Sequence, residues 1–227
     1  WIAGAAFALL FFVLLSLRLG LLGEDAASPR QIAGGAGAVA ARDDWMSISQ
    51  RSRKIGYAHR QFIPLKAGYQ VREDVLLRIN TMGVVQPLSF RTEGNLDARM
   101  RLLSFTFDLH SSLFRFAARG TVNDQRLLLT AGMPGEEQKT EIALPEPVHL
   151  SAGIFEYPAI AGLKAGETGI LHVFDPAAMA ARPITVARAA ADEMILHQGR
   201  RVPARKYSLD FMGAAQFAWV GEDGAVL

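Results

Sequence analysis

Cysteine is absent from this chain of 227 residues. The protein therefore forms no disulfide, offers no thiolate to a metal ion and contains no cysteine nucleophile. Net charge is also small, because 24 lysines and arginines are set against 22 aspartates and glutamates, which gives +2 at neutral pH. So small an excess does not favour nucleic acid as a partner, since such surfaces depend on a clear surplus of positive charge.

The motifs of common catalytic sites are missing as well. There is no Gly-x-Ser-x-Gly sequence, and the glycine-rich stretch at 34–37 lacks the preceding strand and the lysine of a phosphate-binding loop. Glu73 and Asp74 are adjacent, so a strand would point them to opposite faces, where they make a poor acid–base pair. Glu136 and Glu137 lie at a turn, where solvated charge is the expected role. We therefore expect a protein that is not an enzyme and uses no cofactor.

Histidine is the remaining source of metal ligands, but the five histidines are widely spaced. None has a partner at the short spacing that zinc sites use. We therefore expect no metal site from His59, His110, His149, His172 and His197.

What the chain does contain is a long hydrophobic run at residues 1–22, with Arg18 as its one charge. As a helix it would reach about 33 Å, and the hydrocarbon core of a bilayer is about 30 Å thick. Arg18 lies near the end of the run, from which a long side chain reaches the headgroups. A cleaved signal peptide is the alternative, but its apolar stretch is usually about 7–15 residues long, and residues 24–27 provide no small-x-small cleavage site.

We therefore expect an uncleaved, single-pass membrane anchor. Small and aromatic side chains in such a helix pack on lipid or on neighbouring transmembrane helices. The residues expected to make these contacts are Trp1, Gly4, Ala5, Phe7, Ala8, Phe11, Phe12 and Arg18. The acidic residues Glu24 and Asp25 follow directly, which favours an inner-membrane anchor with the rest of the chain in the periplasm.

Residues 23–44 are typical of a linker. The glycines at 34, 35 and 37 each disfavour a helix by about 1 kcal/mol relative to alanine. We expect this segment to be a spacer between the anchor and a folded domain.

From residue 45 onward, hydrophobic residues recur at every second position. Leu103, Phe105, Phe107 and Leu109, for example, alternate with polar residues. This period predicts strands with one buried and one solvated face, which is typical of antiparallel sheets. We therefore expect residues 45–227 to form a mainly β domain, either an antiparallel sandwich or a half-open barrel.

Turn-forming residues separate the predicted strands. Turns are predicted at 66–68, 94–95, 123–124, 133–135, 198–199 and 222–224. Residues 153–163 are predicted to be a short helix or an irregular crossover, opened or broken by Pro158. We expect a seam near 145–164 within one continuous domain.

Several short motifs follow one another along residues 45–227. They are Trp45-Met46, Arg53-Lys54-Ile55-Gly56-Tyr57, Gly83, Leu103-Ser104-Phe105, Phe107, Arg119-Gly120, Gly166, Val173-Phe174-Asp175-Pro176, Gly199, Val202-Pro203-Ala204 and Trp219 to Leu227. Together they resemble the β-rich region that precedes the catalytic domain in exported bacterial transglutaminase-like proteins. The resemblance implies that a catalytic Cys-His-Asp domain would follow the closing hairpin. The 227 residues of this chain contain no such cysteine.

Two groups of side chains are candidates for binding. Arg51, Arg53, Lys54 and Arg60 are candidates to contact anionic lipid or an acidic partner, or they are simply the solvated charges of a turn. The second group consists of phenylalanines that would either fill the core or line an apolar groove. Its members are Phe105, Phe107, Phe114 and Phe116.

These features predict a non-catalytic, membrane-anchored β module that acts as an accessory or scaffold subunit within a hetero-oligomeric membrane complex. A respiratory or photosynthetic assembly is the host we consider. One alternative is a module that binds lipid or another apolar ligand. The other is the N-terminal fragment of a transglutaminase-like hydrolase.

Overall fold

The structure is a computed structural model of the chain. It describes residues 30–31, 40–50, 53–81, 83–211 and 214–227. Within these ranges the protein is mainly β, as predicted. No helix in them is long and apolar enough to cross a bilayer, and the predicted anchor at 1–22 lies outside the described residues.

Fifteen strands make up most of the described chain. In order they are β1 (Arg30–Gln31), β2 (Arg42–Gln50), β3 (Arg53–Leu65), β4 (Gly68–Thr81), β5 (Val84–Leu96), β6 (Leu102–Ser111), β7 (Arg115–Asn123), β8 (Arg126–Gly132), β9 (Gln138–Ala143), β10 (His149–Leu150), β11 (Thr168–Asp175), β12 (Ala180–Arg188), β13 (Glu193–His197), β14 (Arg200–Phe211) and β15 (Ala214–Val220).

Strands β2 to β9 form an eight-stranded antiparallel sheet in which each strand pairs with the next in the chain. In such a meander, successive turns alternate between the two ends of the sheet. The turns after β2, β4, β6 and β8 therefore lie at one end, and those after β3, β5 and β7 lie at the other.

A second sheet has the order β1-β11-β12-β14-β13, with β10 added beside β11 and β15 beside β14. Its pairs are antiparallel except for two short parallel ones, which β11 makes with β1 and with β10. The chain passes from the first sheet to the second between β9 and β10, at the start of the region where a seam was expected.

The two sheets share one hydrophobic core. Alternation places Phe62, Val71 and Phe105 on the face of the eight-stranded sheet that meets the second sheet, and all three are buried. The rings of Phe105 and of Phe174 in β11 lie 4.9 Å apart between centroids. We call this side of the eight-stranded sheet the inward face, and the opposite side the outward face.

The crossover predicted at 153–163 is confirmed. It consists of a 3₁₀ turn, Ile154–Glu156, followed by the four-residue helix α1, Pro158–Ala161, with proline at its first position. The Tyr157 hydroxyl donates a hydrogen bond of 2.7 Å to the Leu150 carbonyl, and Tyr157 is buried.

The turn predicted at Gly94 and the following residue is wrong. Gly94 lies inside β5 on the inward face, where a Cβ would overlap the side chain of Leu150. The glycine marks a close approach between two layers and not a reversal of the chain. The reversal follows at Asp97, whose Oδ1 accepts backbone N–H bonds from Arg99 and Arg101 at 2.8 and 2.9 Å.

The other predicted turns are confirmed at 66–68, 123–124, 133–135, 198–199 and 222–224. The alternation in β6 is wrong at its first residues, because the pairing of β5 with β6 shifts register between Asn95 and Leu96. As a result Leu102 is buried, whereas Leu103 is 44% exposed.

Part of the predicted linker at 23–44 is paired in sheets. Arg30–Gln31 pairs with β11, and β2 begins at Arg42, earlier than the predicted domain start at 45. The Arg42 side chain donates a hydrogen bond of 2.5 Å to the carbonyl of Asp223. The start of β2 is polar, so its sequence gives no hydrophobic alternation to predict it from.

Gly120 in β7 is a position where the inward face tolerates no side chain. A Cβ there would overlap the Phe105 ring and lie 2.7 Å from Leu127 Cδ1. We expect Gly120→Val to lower the free energy of unfolding by about 1–3 kcal/mol through overpacking. Urea unfolding measures this, and Thr121→Val, at the exposed neighbouring position, should change it by less than about 0.5 kcal/mol. Equal effects of the two substitutions would contradict the assignment of faces.

His149 should make stability depend on pH. It is buried, and its Nδ1 lies 2.7 Å from the Met100 carbonyl oxygen. Burial lowers the pKa of His149, although the bond to Met100 opposes this. A lowered pKa means that the unfolded chain takes up a proton before the folded chain does, so stability falls as pH drops below about 6.5. The slope from this one group is at most about 1.4 kcal/mol per pH unit.

Chemical unfolding between pH 7.5 and 5 checks this effect. At pH 7.5, His149→Gln should have a lower free energy of unfolding than the wild type. Between pH 7.5 and pH 5 its free energy of unfolding should fall by less than that of the wild type. The same slope in both proteins would show that His149 does not carry the effect.

Candidate binding face

The predicted basic group is divided by the structure. Arg51 lies outside the described residues, and Arg53 and Lys54 are exposed at the start of β3. Arg60 is separated from them, because its side chain points to the inward face. Only 15% of that side chain is exposed.

Arg60 is held by two carboxylates there. Its Nε and Nη2 donate to Glu73 Oε1 at 2.9 and 2.6 Å, and its Nη1 donates to Glu156 Oε1 at 3.1 Å. Burial lowers the pKa of Arg60, but the charges of Glu73 and Glu156 outweigh this and raise it above its ordinary value. Asp44 pairs with Arg60 across β2 and β3, and burial followed by the charge of Glu156 raises the pKa of Asp44.

This network joins two parts of the fold. Glu73 lies in β4 of the first sheet, and Glu156 lies in the 3₁₀ turn between β10 and β11 of the second. Glu156 is buried, and its Oε2 has no hydrogen-bond partner among the described residues. A cation shared by a buried carboxylate and a largely buried one stabilises the fold only while all partners remain in place. We assign the network a structural role that fixes the turn against the sheet.

The outward face carries the other polar groups. Four surface depressions lie along it. The two largest of these four have volumes of about 570 and 370 Å³. The larger is lined by residues of β5 to β8, among them Glu93, Asn95, Thr106 and Arg119. The smaller is lined by residues of β3 to β6, among them Tyr57, Asp74, Ser89, Arg91, Asp108 and His110.

An aromatic group lies on the outward face beside the smaller depression. The Trp45 ring stacks on the His59 ring at 4.1 Å with an interplanar angle of 11°, and it lies 5.5 Å from the Tyr57 ring. Trp45 is 67% exposed. His59 Nε2 is 2.6 Å from Asp43 Oδ1, and Gln61 donates to Asp43 Oδ2 at 2.9 Å. These hydrogen bonds lower the pKa of Asp43, and the bond from Gln61 has a larger effect than the bond with His59.

Charges of both signs alternate across the outward face. Arg91 Nε lies 2.6 Å from Asp74 Oδ1, and the hydrogen bond from Arg91 to Asp74 raises the pKa of Arg91. Arg72 Nε lies 3.7 Å from Glu93 Oε1, and Asp108 pairs with Arg91 across β5 and β6. The face therefore presents donors, acceptors and exposed rings together, a combination that is common in protein-binding surfaces.

The remaining predicted groups do not assemble into a reactive site in the described part of the chain. No three metal-ligating side chains converge there. Phe105 and Phe107 are buried in the core, where the ring of Phe105 lies against that of Phe174. Glu73 and Asp74 take opposite faces, as predicted, since Glu73 bonds Arg60 and Asp74 bonds Arg91.

Sequence reasoning did not identify the outward face as a surface of interest. A signal was present, because Trp45 and Tyr57 occupy positions that alternation assigns to solvent. An exposed tryptophan in such a position is unusual enough to mark a binding residue.

The two faces allow a matched test with two arginines of the same sheet, Arg60 in β3 and Arg91 in β5. We expect Arg60→Met to lower the free energy of unfolding by about 3–5 kcal/mol, because Glu73 and Glu156 stay buried without their cation. Arg91→Met removes an exposed ion pair and should cost at most about 1 kcal/mol. Urea unfolding of both variants checks the difference, and similar losses would show that the Arg60 network is not buried as described.

No protein-family model matches this chain, and no curated protein matches it. Among solved structures, it is similar to a β-barrel-like protein of the domain of unknown function DUF1849 from Brucella abortus, with a TM-score of 0.53 and 12% identity over 81% of this chain and 86% of that chain. It is also similar to a DUF1089 family protein from Pseudomonas aeruginosa, with a TM-score of 0.45 and 15% identity over 79% of this chain and 91% of that chain. The first similarity shows a shared β-barrel-like fold, and the second carries no further argument.

Proposed function

We propose that this protein is a non-catalytic accessory module that binds a partner protein through the outward face of its eight-stranded sheet. The observation that supports this most directly is the exposed Trp45, stacked on His59 beside a polar depression. Tryptophan, tyrosine and arginine dominate the energetics of protein interfaces. Trp45, Tyr57 and Arg91 bring all three types to one face.

The arrangement of this face suits a partner of mixed polarity. Trp45 and Tyr57 provide apolar contact area with little loss of conformational freedom, and the charges around Arg91 set orientation. The inward face is occupied by the core, so the outward face is the broad side of this sheet that remains for a partner.

The proposal includes the predicted anchor. Residues 1–22 would hold the module at the inner membrane with the domain in the periplasm, within a hetero-oligomeric membrane complex. A tether raises the local concentration of a partner in the same membrane, so weak contacts on the outward face become effective. A respiratory or photosynthetic assembly is the host this proposal considers.

The resemblance to the region before the catalytic domain of transglutaminase-like proteins supports a related proposal. In that case the partner of the outward face would be a catalytic domain encoded beyond Leu227. A cysteine followed by a histidine in the downstream coding sequence would support this version.

The partner proposal predicts a size change on mutation of Trp45. Extracted from its native membranes in mild detergent, the wild-type protein should migrate with its partner as a species larger than the monomer. Trp45→Ala should weaken that association by about 30-fold or more, the effect of losing an interface residue worth about 2 kcal/mol. Native gel electrophoresis and light scattering measure the shift to monomer.

The matched control is Leu196→Ala, which removes another exposed apolar side chain from the second sheet. It should leave the large species intact. A wild-type protein that migrates alone as a monomer would contradict the proposed function, and equal loss in both variants would contradict the assignment to the outward face.

A further inference from the structure

One end of the eight-stranded sheet combines exposed apolar tips with unpaired positive charge. The meander places the turns that follow β2, β4, β6 and β8 at this end. We call the described residues of the first three turns and their adjoining strand ends the hairpin end, and the turn after β8 borders it beside β7.

The apolar side chains of the hairpin end are exposed to solvent. Val84 and Val85 begin β5 at 60% and 57% exposure, and Leu113 in the β6–β7 turn is 76% exposed. The turn after β6 is fixed by Ser111, whose Oγ accepts hydrogen bonds from the backbone N–H groups of Leu113 and Phe114 at 3.2 and 3.1 Å. The exposure of Leu113 and Phe114 therefore follows from a defined turn.

Four cations adjoin these tips, and the carboxylates at this end of the sheet are Glu136 and Glu137 in the turn after β8. Arg53, Lys54, Arg78 and Arg115 are exposed at the hairpin end, and none of them forms an ion pair within the described chain. In the sequence, residues 46–56, 77–90 and 109–118 contain no aspartate or glutamate. Elsewhere in the same sheet, Arg60, Arg72, Arg91 and Arg126 are each paired with an acidic residue.

We propose that the hairpin end docks on an anionic lipid surface, with Val84, Val85, Leu113 and Phe114 entering the headgroup region and the four cations meeting lipid phosphates. Protruding apolar residues backed by lysine and arginine are the combination that binds membrane interfaces. A nucleic acid or an acidic protein would match the cations but would leave the protruding apolar residues without a role. The proposal is separate from the partner-binding face, because Trp45 and Leu113 belong to different parts of the sheet.

The absence of cysteine makes a site-specific test simple. In the full chain, Leu113→Cys is labelled with an environment-sensitive fluorophore and reconstituted into vesicles that carry nitroxide-labelled lipid. Ala67→Cys, in the exposed turn after β3 at the opposite end, is the matched control. Both proteins carry the same segment 1–22, so any difference between the probes reports on the hairpin end alone.

We expect the probe at residue 113 to be quenched and blue-shifted in vesicles of phosphatidylcholine with phosphatidylglycerol. The effect should weaken in phosphatidylcholine alone and at high salt, because screening reduces attraction between exposed charges. The probe at residue 67 should remain unquenched throughout.

Charge variants test the role of the cations. With the probe at residue 113, Arg53→Gln combined with Arg115→Gln should lower the ratio of docked to undocked protein by roughly fivefold for each charge removed. Lys66→Gln combined with Arg99→Gln removes the same charge from exposed positions at the opposite end and should have little effect.

Three outcomes would overturn the lipid proposal. The first is a probe at residue 113 that stays unquenched in anionic vesicles, and the second is equal quenching at residues 67 and 113. The third is binding of the hairpin end to heparin without any response to vesicles, which would assign the cations to an acidic macromolecule. None of these results would affect the proposed binding through Trp45.

Discussion

The structure depends on the alternation of side chains across eight successive antiparallel strands. Because every second residue points the same way, one face of the sheet can be filled with Phe62, Val71 and Phe105 while the other stays polar. The filled face must be covered, and the second sheet covers it by sharing the same core. The uncovered face is then available for binding, and the proposed function uses it.

The inward face also determines how closely the two sheets approach. Gly94 and Gly120 provide room where Leu150 and Phe105 pack against neighbouring strands. Arg60 bridges Glu73 in the first sheet and Glu156 in the crossover, so this strongly polar contact links the two layers. Apolar packing supplies most of the stability in such a core, and a buried ion network restricts which arrangement of the layers is tolerated.

Much of this fold could be predicted from the sequence, because period-two alternation and turn residues are local signals. They gave the mainly β class, most of the turns and the crossover that opens at Pro158. The errors share a cause, since each depends on a contact between residues far apart in the chain. Gly94 reads as a turn residue until Leu150 is known to pack against it, and Arg60 reads as a surface charge until Glu156 is placed beside it. The register shift that exposes Leu103 likewise arises in the pairing of two strands.

The candidate site was harder to predict than the fold. Local sequence shows that Trp45 and Tyr57 point to solvent, but it does not show that they stack with His59 beside a depression lined by charges. The hairpin end was equally hard to predict from the sequence. Its cations come from three separated segments, and only the topology of the meander places them together.

Hydroxyl-radical footprinting tests the central claim most directly, which is that one face of the long sheet is buried in the core and the other meets a partner. Labelling would be compared between the purified protein and the protein in its native membranes. The account predicts that Phe105 and Phe174 stay unlabelled in both samples, whereas Trp45 and Tyr57 are labelled in the purified protein and protected in the membrane. Strong labelling of Phe105, or equal labelling of Trp45 in both samples, would contradict it.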